Sequence, residues 1–241
     1  MIKLVLIATI ALTSIPSCLA KQKPAEDADK PAHRLSSKWW KQRHEQKLAK
    51  AKNTQVDLLF IGDSITHGWE NKGRKLWGEY YASRKAFNLG YSGDRTQHVL
   101  WRLDNGEMEG MKPKVAVIMI GTNNTGHNMQ KARETAKGIK GIITRIQKIS
   151  PETKVLLLAI FPRGEQADHP MRVRNTEVNN IIKTYADDKN ITYLDINSKF
   201  LNEEGVLTKE VMPDRLHPQA PGYKIWAEAM EPTLKKLLGE K

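Results

Sequence analysis

Four short runs in this chain carry residue types able to cleave an ester or amide bond. Gly62-Asp63-Ser64 offers a hydroxyl nucleophile, and Asp214-Arg215-Leu216-His217 offers an imidazole with a carboxylate three residues before it. A serine hydroxyl attacks a carbonyl carbon when a base takes its proton, and histidine is the usual base. The imidazole needs an acceptor that fixes its tautomer and stabilises the imidazolium, and an aspartate three residues upstream can curl back to do this. The runs Asn88 to Asp94 and Gly121-Thr122-Asn123-Asn124 supply donors. The backbone N–H of Gly93 and the side-chain amide of Asn123 are of the kind that acyl transfer aims at a developing oxyanion.

Each run alone also has a plainer reading. Ser64 and Asp214 suit helix N-caps, and Gly and Asn are ordinary turn residues. Gly62-x-Ser64-x-Thr66 lacks the second glycine of the α/β-hydrolase elbow, which argues against that fold. His67 lies about one helical turn after Ser64 and is expected to be a pocket-wall or surface residue rather than the base. His33, His44, His98, His127 and His169 show no metal-ligand spacing, so no metal is expected. Met108, Met111 and Met119 are expected to pack in the core, and Arg95 and Arg163 to lie either along the pocket or on the surface.

The elements that must position these runs follow an α/β alternation. Apolar segments at Val56–Ile61, Ala86–Leu89, Val115–Ile120, Val155–Ile160 and Ile191–Leu194 predict five strands. Helical spacing predicts helices from Ser36 through Ala49, over Thr96–Leu103, Lys131–Ile149, Val173–Ala186 and Tyr223–Leu238. Trp39 and Trp40 are expected to dock the first of these on the core. Parallel strands need crossover helices, so the expected architecture is a three-layer α/β/α sandwich with about five parallel strands. Ligands of such sheets bind beyond the carboxyl ends of the strands, and all four runs fall there.

The chain has 241 residues, enough for one α/β domain over 36–241. Residues 1–20 have a secretory pattern: Lys3, an apolar run from Leu4 to Leu12, then mostly small residues to Ala20. Export is therefore expected. Cleavage after Ala20 competes with lipidation of Cys18 in a loose lipobox, Ile15-Pro16-Ser17-Cys18. Residues 21–35 are polar, carry Pro24 and Pro31, and are expected to form a tether. Cys18 is the single cysteine, so cleavage after Ala20 leaves no disulfide and no thiol nucleophile. The formal net charge of +12 permits association with acidic polymers or anionic surfaces. The basic residues are scattered without a zinc-finger or basic-zipper pattern, so no nucleic-acid partner is expected.

Together, Gly62-Asp63-Ser64, Gly93, Gly121-Thr122-Asn123 and Asp214-x-x-His217 resemble the four blocks of the SGNH (GDSL-type) hydrolases, from about Trp39 to the C-terminus. The stretch Gly90 to Glu107, Lys112-Pro113-Lys114-Val115 and Phe161-Pro162-Arg163-Gly164 are similar to the platelet-activating-factor acetylhydrolase catalytic-subunit branch. Ile65 stands where the name motif has Leu. The resemblance implies a flavodoxin-like sheet, Ser64 as nucleophile, His217 as its base and Asp214 orienting His217. It implies an oxyanion hole from the N–H of Ser64, the N–H of Gly93 and the amide of Asn123. It implies no cofactor, and pairing as a homodimer.

The expected activity is hydrolysis of short-chain esters, acetyl foremost, through an acyl-serine intermediate. Expected export favours an acetylated carbohydrate as substrate. A phospholipid acetylhydrolase or lysophospholipase is the alternative, although no long apolar insertion is present to form a lid. A non-catalytic glycan-binding protein on a hydrolase scaffold is an alternative of another class, but it would be expected to lose one of Ser64, Asn123, Asp214 and His217. A nucleotide binder would need a Gly-rich phosphate loop, and Gly62-Asp63-Ser64 is not one.

Overall fold

A computed structural model of the protein describes residues 27–127, 129–187 and 189–240. The expected export signal lies outside these residues, as do residues 21–26 of the expected tether. Five strands form one wholly parallel sheet: β1 (Leu58–Gly62), β2 (Ala86–Gly90), β3 (Val115–Met119), β4 (Lys154–Leu158) and β5 (Ile191–Leu194). Their order is β2-β1-β3-β4-β5, so β1 is central to the site end, with β2 and β3 beside it. Gly62 pairs in register with Gly90 and with Met119. The three strands therefore end level, and the loops leaving them face one another.

Side chains alternate along each strand, which divides the core in two. Leu59, Ile61, Leu89, Ala116, Ile118, Val155 and Leu157 face one layer, built chiefly from α4 (Thr96–Asp104), α6 (Ala132–Ile149) and α7 (Pro170–Ile182). Ile139, Ile142, Ile143 and Ile146 make the buried stripe of α6, as their spacing predicts. Leu58, Phe60, Val117, Met119, Leu156 and Leu158 face the other layer, which α8 (Ala220–Leu238) covers through Tyr223, Trp226, Met230 and Leu234. Both faces are covered, as the three-layer expectation requires.

The departures have local causes. α7 and α8 each begin three residues before the apolar spacing suggests, because Pro170 and Pro221 sit in their first turns, where a proline lacks no bond. Two short helices at strand ends, α2 (Ser64–His67) and α5 (Thr122–His127), are too brief to show a periodic stripe, as is α3 (Arg74–Tyr80). The segment 27–35 departs from the expected tether. Ala28 is fully buried, Thr96 Oγ1 donates to Ala28 O at 2.7 Å, and Ala32 N donates to Gln97 O at 3.0 Å. This strap leads into α1 (Lys38–Ala51), whose Trp40 is fully buried while Trp39 stays 41% exposed. Of the two tryptophans only Trp40 enters the core, while Trp39 rests on His67 and Tyr91 at the surface.

Trp69 shows how the second layer fixes the turn that opens α2. It lies two residues beyond α2, is fully buried, and meets the rings of Tyr223 at 4.6 Å, Trp226 at 5.1 Å and Tyr81 at 5.2 Å. Trp69→Ala is expected to cost about 3–5 kcal/mol of stability, read from the shift of the urea midpoint.

Candidate active site

Gly62 ends β1 and Ser64 opens α2. A Cβ on Gly62 would stand 2.4 Å from the carbonyl oxygen of Met119, so a glycine is required for the chain to turn beside β3. Asp63, not Ser64, caps the helix: its Oδ1 accepts from the N–H of Ile65 at 3.0 Å. Ser64 is thus free to turn its hydroxyl toward His217, and its own N–H, the first of the helix, has no intrahelical acceptor. Tyr223 Oη donates to Ile65 O at 2.7 Å and ties this first turn to α8.

His217 arrives from the loop before α8. Its Nε2 lies 2.9 Å from Ser64 Oγ and its Nδ1 2.6 Å from Asp214 Oδ2. With a carboxylate as acceptor at Nδ1, the neutral ring carries its proton there, and Nε2 presents a lone pair to the serine hydroxyl. The other oxygen, Oδ1, accepts the N–H groups of His217 at 2.7 Å and Leu216 at 3.0 Å. Partial burial works against the Asp214 charge, yet these backbone donors and the His217 ring hold the carboxyl below its usual range. The curl-back expected from the three-residue spacing is present in full.

The donor loops interlock. Tyr91 to Asp94 forms a turn closed by Asp94 N donating to Tyr91 O at 3.0 Å, with Gly93 at φ 76° in the left-handed region. Asn123 Nδ2 donates to Asp94 O at 2.9 Å, which uses one of its two amide protons. Asn124 reaches across as well, accepting from Thr96 N at 3.0 Å and donating to Thr96 Oγ1 at 2.9 Å. The loops after β2 and β3 are therefore one hydrogen-bonded unit, a role for Asn124 that its place in a turn-like run did not signal.

Behind this unit sits the fully buried carboxylate of Asp94. It accepts from Trp40 Nε1 at 2.8 Å, Arg34 Nη1 at 3.1 Å and Arg102 Nε at 2.9 Å. Arg102 also pairs with Glu107, which accepts from Tyr91 Oη. Burial pushes the Asp94 carboxyl up against these cations, whereas at Glu107 burial is outweighed by Arg102, His44 and Tyr91 acting together, which keep its carboxyl below the usual range. The pairing of Arg34, Trp40 and Arg102 with Asp94 has no signal in the sequence, because they are 60, 54 and 8 residues from it with no motif joining them.

Other histidines and arginines take different places. His67 Nδ1 lies 2.9 Å from Ser92 Oγ, and burial, with Arg43 and Lys47 nearby, lowers its pKa to about 4. It is a half-buried residue, with Trp39 packed on it at 5.6 Å. Arg163 donates to Thr122 O at 2.9 Å and lines a cavity of about 430 Å³ with Asp214, Arg215 and Leu216. Arg95 belongs to the start of α4, its N–H donating to His98 Nδ1 at 2.9 Å.

Comparison with known proteins gives a consistent outcome. The model of the GDSL-like lipase/acylhydrolase family matches residues 60–225. Platelet-activating factor acetylhydrolase IB subunit alpha1 of Rattus norvegicus is 34% identical over 202 residues, covering 83% of this chain and 84% of that protein. Subunit alpha2 of Mus musculus is 35% identical, with 83% and 86% covered. Among solved structures, a GDSL-like lipase from Bacteroides thetaiotaomicron aligns with TM-score 0.66 at 19% identity, covering 80% of this chain and 97% of the other. An acetylxylan esterase from Geobacillus stearothermophilus aligns with TM-score 0.58 at 21% identity, with 78% and 96% covered. These two structures share the fold.

Asp63 offers a test of the electrostatics beneath Ser64. It is fully buried, and burial raises its pKa from 3.8 to about 7, with the Ile65 N–H opposing and the Asp94 charge adding to the shift. The folded protein therefore keeps this proton where the unfolded chain has released it. The resulting stabilisation is complete below about pH 4 and is lost as pH rises through about 7. Asp63→Asn retains an acceptor for Ile65 and removes the titration. Wild-type stability relative to this variant is expected to fall between pH 4 and pH 7 and then level off, measured by urea unfolding across that range.

Proposed function

The chain belongs to the GDSL-like lipase/acylhydrolase family and is a carboxylic ester hydrolase, and from that premise we propose that it removes acetyl groups from carbohydrate esters through an acyl-serine intermediate on Ser64. The observation that carries this reading is the hydrogen-bonded run from Ser64 Oγ through His217 to Asp214, at 2.9 and 2.6 Å. Ser64 Oγ attacks the ester carbonyl as His217 Nε2 takes its proton. The tetrahedral oxyanion accepts from the N–H groups of Ser64 and Gly93 and from Asn123 Nδ2. His217 then gives that proton to the departing sugar oxygen, which leaves as the free hydroxyl. Water, deprotonated by the same imidazole, releases acetate and restores the serine.

Two features support a carbohydrate. The side chain of His217 is 40% exposed, which suits an ester carried on a large polymer rather than one enclosed beneath a lid. Trp39 presents an exposed ring beside His67 and Tyr91, the flat apolar surface on which a sugar face stacks. The similarity to platelet-activating factor acetylhydrolase subunits supports a second reading with the same chemistry, an acetyl phospholipid as substrate.

Hydrolysis of p-nitrophenyl acetate, butyrate and octanoate tests the mechanism. Acetate is expected to be preferred, and Ser64→Ala to lose about 10³-fold or more in kcat. Asn123→Ala is expected to lose about 10²–10³-fold. Acetate release from acetylated xylan against an acetyl glycerophospholipid separates the two substrate readings. Undiminished turnover by Ser64→Ala would remove the acyl-serine proposal altogether.

Export is part of this proposal, supported by the charged, apolar and small-residue pattern of residues 1–20. Mass analysis of the mature chain is expected to find Lys21 at its N-terminus. A lipid-modified Cys18 would instead indicate membrane anchoring, and an intact Met1 would contradict export by this segment.

A further inference from the structure

The peptide that joins Ser92 to Gly93 has an unusual grip on its far side. Its N–H belongs to Gly93, the donor assigned above to the oxyanion, and its carbonyl belongs to Ser92. Arg34 Nη1 donates to that Ser92 carbonyl at 2.8 Å and to Asp94 Oδ1 at 3.1 Å. A Cβ built on Gly93 would stand 3.3 Å from both Nη1 and Nη2 of Arg34 and 3.6 Å from Cζ. Near-equal distances to the three atoms mean that the guanidinium lies against Gly93 and brackets it through the residues on either side.

The turn around Gly93 makes this bracket consequential. In a turn with a positive φ at its third residue, the central peptide carries its carbonyl and N–H on opposite sides of the chain. Rotation of that one peptide interchanges the two sides with little movement of the flanking residues, and glycine tolerates both arrangements. The Tyr91–Asp94 turn has Gly93 in that position, and its central peptide is Ser92–Gly93. A charged donor on Ser92 O fixes one orientation and, by polarising the amide, strengthens Gly93 N–H as a donor.

We infer that Arg34 is a positioning residue for catalysis: it locks and polarises the Ser92–Gly93 peptide so that Gly93 N–H meets the oxyanion. The inference rests on the acyl-serine reading above. It gives the 27–35 strap a function, although that strap precedes the 60–225 family match. The arrangement is firmly held. Ala28 and Ala32 bond the strap to Thr96 and Gln97, and the second acceptor of Arg34, Asp94, is itself anchored by Trp40 and Arg102.

The experiment compares Arg34→Met, Arg34→Lys and Ser64→Ala in the full chain with p-nitrophenyl acetate. Arg34→Met is expected to lower kcat about 10-fold or more, part of the loss that follows deletion of a whole oxyanion donor, with KM within about twofold. Arg34→Lys restores one bond to Ser92 O and is expected to recover much of the rate, and free guanidinium is expected to rescue Arg34→Met. An activity-independent reading is the amide resonance of Gly93, which is expected to shift and broaden in Arg34→Met. Unchanged kcat in Arg34→Met while Ser64→Ala is inactive overturns the role of Arg34 and leaves the acyl-serine reading standing. An unaltered Gly93 resonance overturns it as well. Full activity in Ser64→Ala overturns both.

Discussion

A single buried carboxylate ties the site together. Asp94 is inaccessible to solvent, and it draws in donors from the strap at Arg34, from α1 at Trp40 and from α4 at Arg102. Its carbonyl accepts the amide of Asn123 from the loop after β3. A buried charge with so many committed partners is costly to disturb, because removing one partner leaves the others desolvated and unpaired. That penalty is what makes the loop after β2 rigid. A loop on a sheet edge is ordinarily among the more mobile parts of a domain, whereas the oxyanion chemistry proposed here needs donors that do not reorganise.

The serine side of the site is built by a different means. Ser64, Asp63 and Ile65 lie in one turn, which the glycine at 62 allows to sit on the end of β1 and which Trp69, Tyr223 and Trp226 hold from the second core layer. Here apolar burial supplies the rigidity, and the aromatic cluster has no charge within it. The histidine side is more exposed and is organised locally, by the carboxylate of Asp214 accepting two backbone N–H groups and the ring. Three separate solutions, one electrostatic, one apolar and one local, meet at the level ends of β1, β2 and β3.

This division explains which parts were legible. The two-faced burial of the sheet appears as continuous apolar runs, and the crossover helices as apolar residues at helical spacing, so the α/β/α order followed from pattern alone. The Asp214–His217 pair was legible because its partners are three residues apart. Helices α2 and α5 were not, since four- and six-residue helices exist through their place at a strand end rather than through an amphipathic stripe. The split between Trp39, exposed over His67, and Trp40, buried on Asp94, was equally hidden: adjacent positions on a helix differ by about 100° in direction, and composition does not say which one faces inward.

By itself the sequence determined the layer order, the placement of the Ser64, Gly93 and Asn123 runs directly after strands, and the chemical identity of each group in all four runs. These are properties of local pattern, fixed by the period of side-chain burial and by residue type. Tertiary structure alone decided that the polar stretch at 27–35 is a strap rather than a tether, that Arg34 meets Ser92 and Asp94 some 60 residues away, and that Asp63 is buried deeply enough to hold a proton near neutral pH. The reason is the same in each case. Charge pairing and desolvation depend on distance in space, and between residues far apart in the chain that distance exists only after the sheet has brought its loops together.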